Sequence, residues 1–282
     1  MPEAAEVVQS SRVTLIEPTR GWLSLDLGAV WEYRELLYFL IWRDLKVRYK
    51  QTALGASWII VQPLATMIVF SVVFGRLAGL PSDGIPYPIF SYAGLLPWNY
   101  FSSGVARSGN SLVSNGRLIT KVYFPRLVIP IAAAASGIVD FGVAFVILLG
   151  LMAFYGVAPT IALLALPAFL LMAAALGLGV GLWLSAINVR YRDVGFAMPF
   201  LLQLWMFLSP VAYATSLVPA NWQWVYALNP MAGVVEGFRW ALLGTAPPSG
   251  LALAVSLLIV GIALVSGSFA FTRMERDFAD VV

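Results

Sequence analysis

The stretch Leu127–Val189 decides the fold of this chain. It reads LVIPIAAAASGIVDFGVAFVILLGLMAFYGVAPTIALLALPAFLLMAAALGLGVGLWLSAINV, and Asp140 is its only charged residue. A helix that crosses the ~30 Å hydrocarbon core of a membrane needs about 20 residues, so this stretch is too long for one crossing. Residues 156–160 (GVAPT) have the turn-forming composition for a reversal. The pattern predicts two membrane spans, near Leu127–Tyr155 and Ile161–Ile187.

Four further charge-free windows predict four more spans. Their predicted boundaries are Ser57–Phe74, Gly84–Ala106, Phe196–Ala212 and Leu251–Phe271. The chain is 60% hydrophobic and 11% charged, whereas soluble proteins average about 45–50% apolar and about 25% charged residues, so a water-soluble fold is excluded. Pro219 and Asn229-Pro230 interrupt the apolar sequence after the fifth span, which favours short interfacial or re-entrant helices there. We therefore predict an all-α integral membrane protein with six transmembrane helices.

The distribution of Lys and Arg predicts the orientation of these spans. Of the 17 basic residues, 7 precede the first span, 4 lie in Arg107–Arg126, 2 in Asn188–Asp193 and 2 after the last span. The alternate loops contain only Arg76 and Arg239. By the positive-inside rule, both termini are expected in the cytoplasm. The net charge of +3 is thus better explained by topology than by binding of nucleic acid.

An N-terminal amphipathic helix is predicted at Arg34–Gln51, at the membrane interface. On a helical wheel Leu36, Leu40 and Val47 share one side, and a basic stripe of Arg43, Lys46 and Lys50 lies on another. Such a stripe is attracted to anionic lipid. The helix is either a positive anchor before the first span or a lateral entrance for a lipid-linked substrate. The predicted organisation is a cytoplasmic segment 1–56, a six-helix domain 57–272 and a cytoplasmic tail 273–282.

Several kinds of chemistry are excluded by composition. The chain has no Cys and no His, which removes disulfides, thiolate or imidazole metal sites and Ser/His catalysis. It has no G-x-x-x-x-G-K-[ST] sequence, so we expect no P-loop, no bound cofactor and no enzymatic activity of its own. Gly177 and Gly181 lie four residues apart in an apolar helix, which is typical of close helix packing.

Four stretches together resemble the membrane subunits of ABC exporters that move O-antigen, capsule or teichoic-acid chains, the Wzm-like permeases. They are IWRDLKVRYKQTALGASWIIVQPL at Ile41–Leu64, NGRLITKVYFPRLVIP at Asn115–Pro130, NVRYRDV at Asn188–Val194, and the pair Ser209–Pro219 and Ala227–Gly244. The resemblance covers most of the chain. It implies a homodimer in the bacterial inner membrane that works with two copies of a separate ATPase subunit, which would bind ATP and Mg²⁺.

The resemblance also implies two loops that contact the ATPase. The loop between the second and third spans corresponds to a short coupling helix and contains Arg117, Leu118 and Lys121. Its basic residues are equally explained as positive-inside anchors. Arg190, Arg192 and Asp193 are either a second contact with the ATPase or a charged turn.

The substrate pathway and an outer gate are predicted from aromatic and polar residues. Aromatic rings can stack on sugar faces, and the resemblance places re-entrant gate helices at Tyr213–Gly244. Asp140 lies within a span, so it either lines the conduit or makes a hydrogen bond between helices. Glu236 and Arg239, three residues apart, are expected to pair on one helix face. The predicted residues are Trp98, Asn99, Tyr100, Asp140, Tyr213, Trp224, Glu236 and Arg239.

The favoured function is ATP-driven export of a lipid-linked, O-antigen-like polysaccharide. Teichoic acid, capsule or a small lipophilic drug remain alternative substrates. A glycolipid-processing enzyme would need carboxylates to hold Mg²⁺, and Asp140 is the only carboxylate in the predicted spans. An ion-coupled secondary transporter is a further alternative, with Asp140 or Glu236 as the coupling group.

Overall fold

The computed structural model describes residues 27–50, 57–275 and 278, and these residues form helices and no strand. The predicted all-α fold is confirmed. Much of the predicted segment 1–56 and of the tail 273–282 lies outside the described residues.

The chain forms twelve α-helices within the described residues. They are α1 (Leu27–Glu32), α2 (Arg34–Lys50), α3 (Ser57–Phe70), α4 (Tyr87–Ser114), α5 (Gly116–Lys121), α6 (Val128–Ala135), α7 (Gly137–Phe154), α8 (Leu166–Arg190), α9 (Asp193–Leu208), α10 (Gln223–Ala227), α11 (Pro230–Leu243) and α12 (Gly250–Met274). A π-helical segment, Ser71–Leu77, continues α3, and 3₁₀ turns occur at Ile161–Ala165, Thr215–Leu217 and Ala220–Trp222.

Each predicted span overlaps a helix, and four helical segments of the described chain are long and apolar enough to cross a membrane. These segments are Ser57–Leu77, Val128–Phe154, Ile161–Arg190 and Gly250–Met274. The other two predicted spans fall on α4, which is less apolar, and on α9, which has 16 residues. The chain is therefore a multi-pass membrane protein with four clear candidate spans.

Helix α4 lies at the centre of the bundle, where it packs against α8, α6, α7, α11 and α3. Its 28 residues give a length of about 42 Å at 1.5 Å per residue. Two of its buried serines are hydrogen-bonded within the helix: Ser91 Oγ donates to Pro88 O at 3.0 Å and Ser111 Oγ to Ser108 O at 2.6 Å. Its low apolar content thus reflects contact with other helices.

The predicted reversal between the third and fourth spans is confirmed. Helix α7 ends at Phe154, and Gly156 adopts a left-handed conformation with φ +69°. The Val157 amide donates to Met152 O at 2.9 Å, as in the glycine-terminated ends of many helices. A side chain at position 156 would be strained in this conformation.

The glycine-rich run in α8 allows close contact with helices on two sides, which confirms the prediction of tight packing. A Cβ atom at Gly181 would lie 2.5 Å from Ser108 Cβ of α4, and one at Gly177 would lie 3.5 Å from Phe101 O. On the opposite side, a Cβ atom at Gly179 would lie 2.7 Å from the backbone of α12 at Ala263. Helix α8 is therefore held between α4 and α12.

The predicted ends of the fifth span and the apolar side of α2 need correction. The fifth span was predicted at Phe196–Ala212, but α9 ends at Leu208 because Pro210 follows and disfavours a helical Ser209.

In α2, Leu40 is buried, but Val47 is 62% exposed. The helix is rotated so that Arg48, on the same side as Leu40 and Leu45, points into the protein.

The helix termini that carry basic residues lie together at one end of the bundle. A separate apolar cluster there contains Leu40 of α2, Leu112 of α4, Val128 of α6, Val189 of α8 and Phe271 of α12. The C-terminal ends of α4, α8 and α12 therefore lie together. We call this region, with helices α2 and α5 and the 122–127 loop, the basic end.

Side-chain bonds tie the basic end together. Arg43 Nη2 donates to Asn115 Oδ1 at 2.8 Å, which joins α2 to the end of α4. Arg126 donates a hydrogen bond to the Glu275 carbonyl oxygen, and its amide donates to Glu275 Oε1 at 3.3 Å. The start of the third predicted span is thus fixed to the end of the last.

Candidate functional site

A cavity of about 660 Å³ lies between α3, α4, α7 and α9 and is bordered by the last turn of α2. One part of its wall is apolar, with Ile59, Leu96 and Met206. The other part carries amide and hydroxyl groups, including Gln62 and Ser102. Trp98, Asn99, Tyr100 and Asp140, which the sequence predicted for the substrate pathway, all line this cavity. Their role in transport stays a prediction.

Asp140 is the centre of a charge cluster in the cavity wall. Its Oδ2 atom accepts from Arg48 Nη1 at 2.7 Å and from Arg107 Nη1 at 3.1 Å. The Tyr49 hydroxyl donates to its Oδ1 atom. Burial, with Asp140 beside it, raises the pKa of the Tyr49 phenol, so this hydroxyl remains a donor. We call these four residues the Asp140 cluster.

Three helices bring the members of the Asp140 cluster together. Arg48 and Tyr49 lie in the last turn of α2, Arg107 on α4 and Asp140 in the first turn of α7. Serine hydroxyls orient both guanidinium groups: Arg48 Nη2 donates to Ser136 Oγ at 3.1 Å, and Arg107 Nη2 donates to Ser103 Oγ at 2.8 Å. Ser136 occupies the break between α6 and α7.

Sequence reasoning missed Arg48, Tyr49 and Arg107 as members of this site. Arg48 carried a signal, because it falls on the side of α2 that is otherwise apolar and so calls for a buried partner. Arg107 was counted as a loop charge that marks the end of the second span. Helix α4 continues past it to Ser114, so Arg107 lies inside a helix and needs a partner there. Asp140 is the partner of both.

The residues predicted to contact an ATPase lie at the basic end. A groove of about 440 Å³ between α5 and the turn that joins α8 to α9 is lined by Arg117 and Arg192. Lys121, Arg190 and Asp193 are exposed beside it. Leu118 is half-buried against the apolar cluster of the basic end. The two predicted loops are therefore neighbours on one surface.

The basic residues of α2 have different environments. Arg43 bonds to Asp44 at 2.8 Å as well as to Asn115. Lys46 and Lys50 are exposed, as are the aromatic side chains of Tyr38, Phe39 and Trp42. Only part of the predicted basic stripe is thus free to meet lipid.

The predicted pairing of Glu236 with Arg239 is wrong. Arg239 is 4% exposed and donates to three backbone carbonyls, Phe90 O at 3.3 Å, Val211 O at 2.8 Å and Tyr213 O at 3.3 Å. Its guanidinium lies 3.6 Å from the Phe90 ring centre. The non-helical 209–214 loop leaves carbonyls without helical donors, and the arginine satisfies them.

The other predicted gate residues lie in the same region, at the end of the bundle opposite the basic end. The Tyr226 hydroxyl donates to the Tyr213 hydroxyl at 3.2 Å. Trp224 is 69% exposed, and Glu236 is half-buried. The 660 Å³ cavity is not lined by Tyr213, Trp224, Tyr226 or Glu236. They form a separate group within residues 209–244.

Comparison with known proteins gives relatives that align over nearly all of this chain. The O-antigen export system permease protein RfbA of Myxococcus xanthus is 29% identical over 256 residues, which cover 90% of this chain and 97% of that protein. The protein of the same name from Klebsiella pneumoniae is 27% identical over 88% of this chain and 95% of its own length. The polysialic acid transport protein KpsM of Escherichia coli is 24% identical over 84% and 92%.

The family match includes all residues that line the 660 Å³ cavity and the 440 Å³ groove at the basic end. Residues 35–243 match the family described as ABC-2 type transporter. This range begins in α2, ends with α11 and contains the whole Asp140 cluster. Since the match covers well over half of the 282 residues, the chain belongs to the ABC-2 type transporter family.

Proposed function

We propose that this protein is the membrane permease of an ATP-driven exporter that moves a lipid-linked polysaccharide from the cytoplasmic side across the bacterial inner membrane. The observation that carries the proposal is the alignment, over 90% of this chain, with an O-antigen export permease. The mixed aromatic and polar wall of the cavity suits a sugar chain, because rings stack on sugar faces and amides bond hydroxyls.

ATP would be hydrolysed by a separate subunit that docks at the basic end. The proposed contact surface consists of α5 and the α8–α9 turn, where Arg117 and Arg192 line one groove. Closure of the ATPase on ATP would move these loops and shift the helices between arrangements that bind the substrate unequally. We propose a homodimer with two ATPase subunits, with six spans in each permease and both termini cytoplasmic.

The arrangement of Asp140 favours this function over ion-coupled transport. A coupling carboxylate must offer its oxygens to a proton or to Na⁺. Here both oxygens of Asp140 already accept hydrogen bonds, from Arg48 and Arg107 on one and Tyr49 on the other. Capsule, teichoic acid and a small lipophilic drug are the other substrates that an exporter of this kind would move.

Co-purification with the ATPase subunit tests the proposal. The wild-type permease, co-expressed with the ATPase of its exporter, is expected to form a complex that hydrolyses ATP in lipid. The double variant Arg117→Glu/Lys121→Glu should insert normally but recover at least about tenfold less ATPase, because charge reversal at an interface costs several kcal/mol.

The matched control is Arg76→Glu, which reverses an exposed charge at the end of the helix that continues α3. It should recover the ATPase as the wild type does. Normal recovery with the double variant would refute the docking surface. A permease that purifies alone and moves solute on an ion gradient would refute the ATP-driven function.

A further inference from the structure

Two arginines and one carboxylate meet in the Asp140 cluster, which leaves a surplus of one positive charge in the cavity wall. Arg48 and Arg107 each have five N–H donors, and the structure uses two from each. Arg107 Nε is buried and has no hydrogen-bond partner. A buried charged group without full pairing is costly. Both guanidinium groups remain partly exposed to the cavity, so their unused N–H groups can bind an anion there.

The chemistry of the donors selects phosphate. Guanidinium groups bind phosphate oxygens with strong charge-assisted hydrogen bonds. Asp140 lies between the two arginines and keeps them close despite their like charges. Ser103 and Ser136 hold the two guanidinium groups in place, so the donors are ordered before any ligand arrives.

The position of the cluster selects a phosphate that is part of a lipid. Arg48 and Tyr49 belong to the helix that precedes the first span and is tied to the basic end by Arg43. A helix that precedes the first span is expected at the membrane interface, where a lipid carries its phosphate. Beyond the cluster the cavity has an apolar wall with Ile59, Leu96 and Met206. This wall is suited to contact with a hydrocarbon chain, and it offers no hydrogen-bond donor to a free phosphate ion.

We propose that the Asp140 cluster binds the phosphate group of a lipid, with Arg48 and Arg107 as its direct ligands and Asp140 as the residue that positions them. The site takes either the phosphorylated lipid that carries the exported polymer or an anionic phospholipid of the bulk membrane. Only the first assignment rests on the proposed function.

Gly137 is part of this site because it leaves room for Arg107. A Cβ atom at position 137 would clash with Arg107 Nη2. The clash involves the end of a flexible side chain, so Gly137→Ala should fold and displace the guanidinium without removing its charge. Gly142→Ala, in the same helix, meets no atom within 4 Å and is the matched control.

The test is binding of a fluorescent polyprenyl diphosphate to the full-length protein in maltoside detergent, compared with the same polyprenol without phosphate. The wild type should bind the diphosphate at least about tenfold more tightly than the alcohol. Arg48→Gln, Arg107→Gln and Gly137→Ala should each lower that preference by about tenfold, which is typical of losing a hydrogen bond to a charged group. Lys46→Gln, an exposed charge on α2, and Gly142→Ala should leave it unchanged.

Binding that does not distinguish diphosphate from alcohol, or a preference that survives both arginine substitutions, would overturn the proposal. A purely structural role would lower the unfolding temperature of these variants and leave the preference intact. Phosphatidylglycerol that displaces the probe at equal concentration would identify bulk lipid as the occupant. If phosphatidylglycerol did not displace the probe, the carrier lipid would be identified as the occupant. The assay contains no ATPase, so its outcome is independent of the co-purification test.

Discussion

At the scale of single residues, Arg239 shows how a buried charge can organise a segment without an ion pair. Its guanidinium fork reaches Val211 O and Tyr213 O of the loop and Phe90 O of α4. The planar group also stacks on the Phe90 ring, an arrangement that lysine cannot reproduce. The loop that follows α9 and the second half of α11 are thereby fixed to the start of α4.

Arg239→Met should lower the free energy of unfolding by roughly 2–4 kcal/mol, because buried carbonyls left without a donor cost about 1–3 kcal/mol each. Arg239→Lys should fall between Met and the wild type. The measurement is denaturant unfolding in detergent, followed by tryptophan fluorescence. Arg76→Met removes an exposed arginine and serves as the control. An unchanged unfolding midpoint for Arg239→Met would show that these bonds add nothing to stability.

The sequence located single polar residues near the cavity but not their partners. Trp98, Asn99 and Tyr100 were predicted from their aromatic run and Asp140 as an ionisable group within a span, and all four line the cavity. The contacts of Arg48 with Asp140 join residues 92 positions apart. One sequence contains no information on which helices meet, so such a contact was not predictable.

At the scale of elements, charge marks the membrane helices well but their ends poorly. The membrane excludes unpaired charge, so charge-free windows predicted every long apolar helix. A charge does not end a helix, however, if it has a partner inside the bundle. Helix α4 passes through Arg107 to Ser114 for this reason. In α9, Pro210 ends the helix although the next residues are apolar.

Helix α8 offers a test of packing between elements. Gly179→Val should lower the free energy of unfolding by about 1–3 kcal/mol, the usual cost of overpacking, because its Cβ atom would lie 2.7 Å from backbone atoms of α12. Backbone cannot move aside as a side chain can. Thermal unfolding in detergent measures the effect. Gly261→Ala on α12 meets no atom within 4 Å and should not destabilise the protein; equal effects of the two variants would contradict this account of the packing.

At the scale of the whole molecule, the proposed six spans require that α4 and α9 cross the membrane. Four segments qualify by length and apolar composition, and α4 and α9 complete the predicted six. If α4 did not cross, Arg76 and Lys121 would lie on the same side of the membrane. If α9 did not cross, Tyr191 and Gln223 would share a side. The helix contacts favour crossing in both cases. Leu40 of α2 and Leu112 of α4 lie at the same end of the bundle, as do Val189 of α8 and Phe271 of α12. Each pair is separated by one clear span, so α4 and α9 are needed to supply the return crossings.

The natural absence of cysteine makes these crossings directly measurable, because the unmodified chain gives no background with thiol reagents. Single cysteines at the exposed positions Arg76, Ala158 and Gln223 should react with a membrane-impermeant maleimide in intact spheroplasts. Cysteines at Lys121 and Tyr191, also exposed, should react only after the membrane is permeabilised. Equal labelling at positions 76 and 121 would remove α4 from the set of spans, and equal labelling at 191 and 223 would remove α9. Alternation at all five positions would establish the four crossings between them, by α4, α6–α7, α8 and α9, because each consecutive pair of sites is separated by one proposed span. With the end segments Ser57–Leu77 and Gly250–Met274 these crossings make the proposed six.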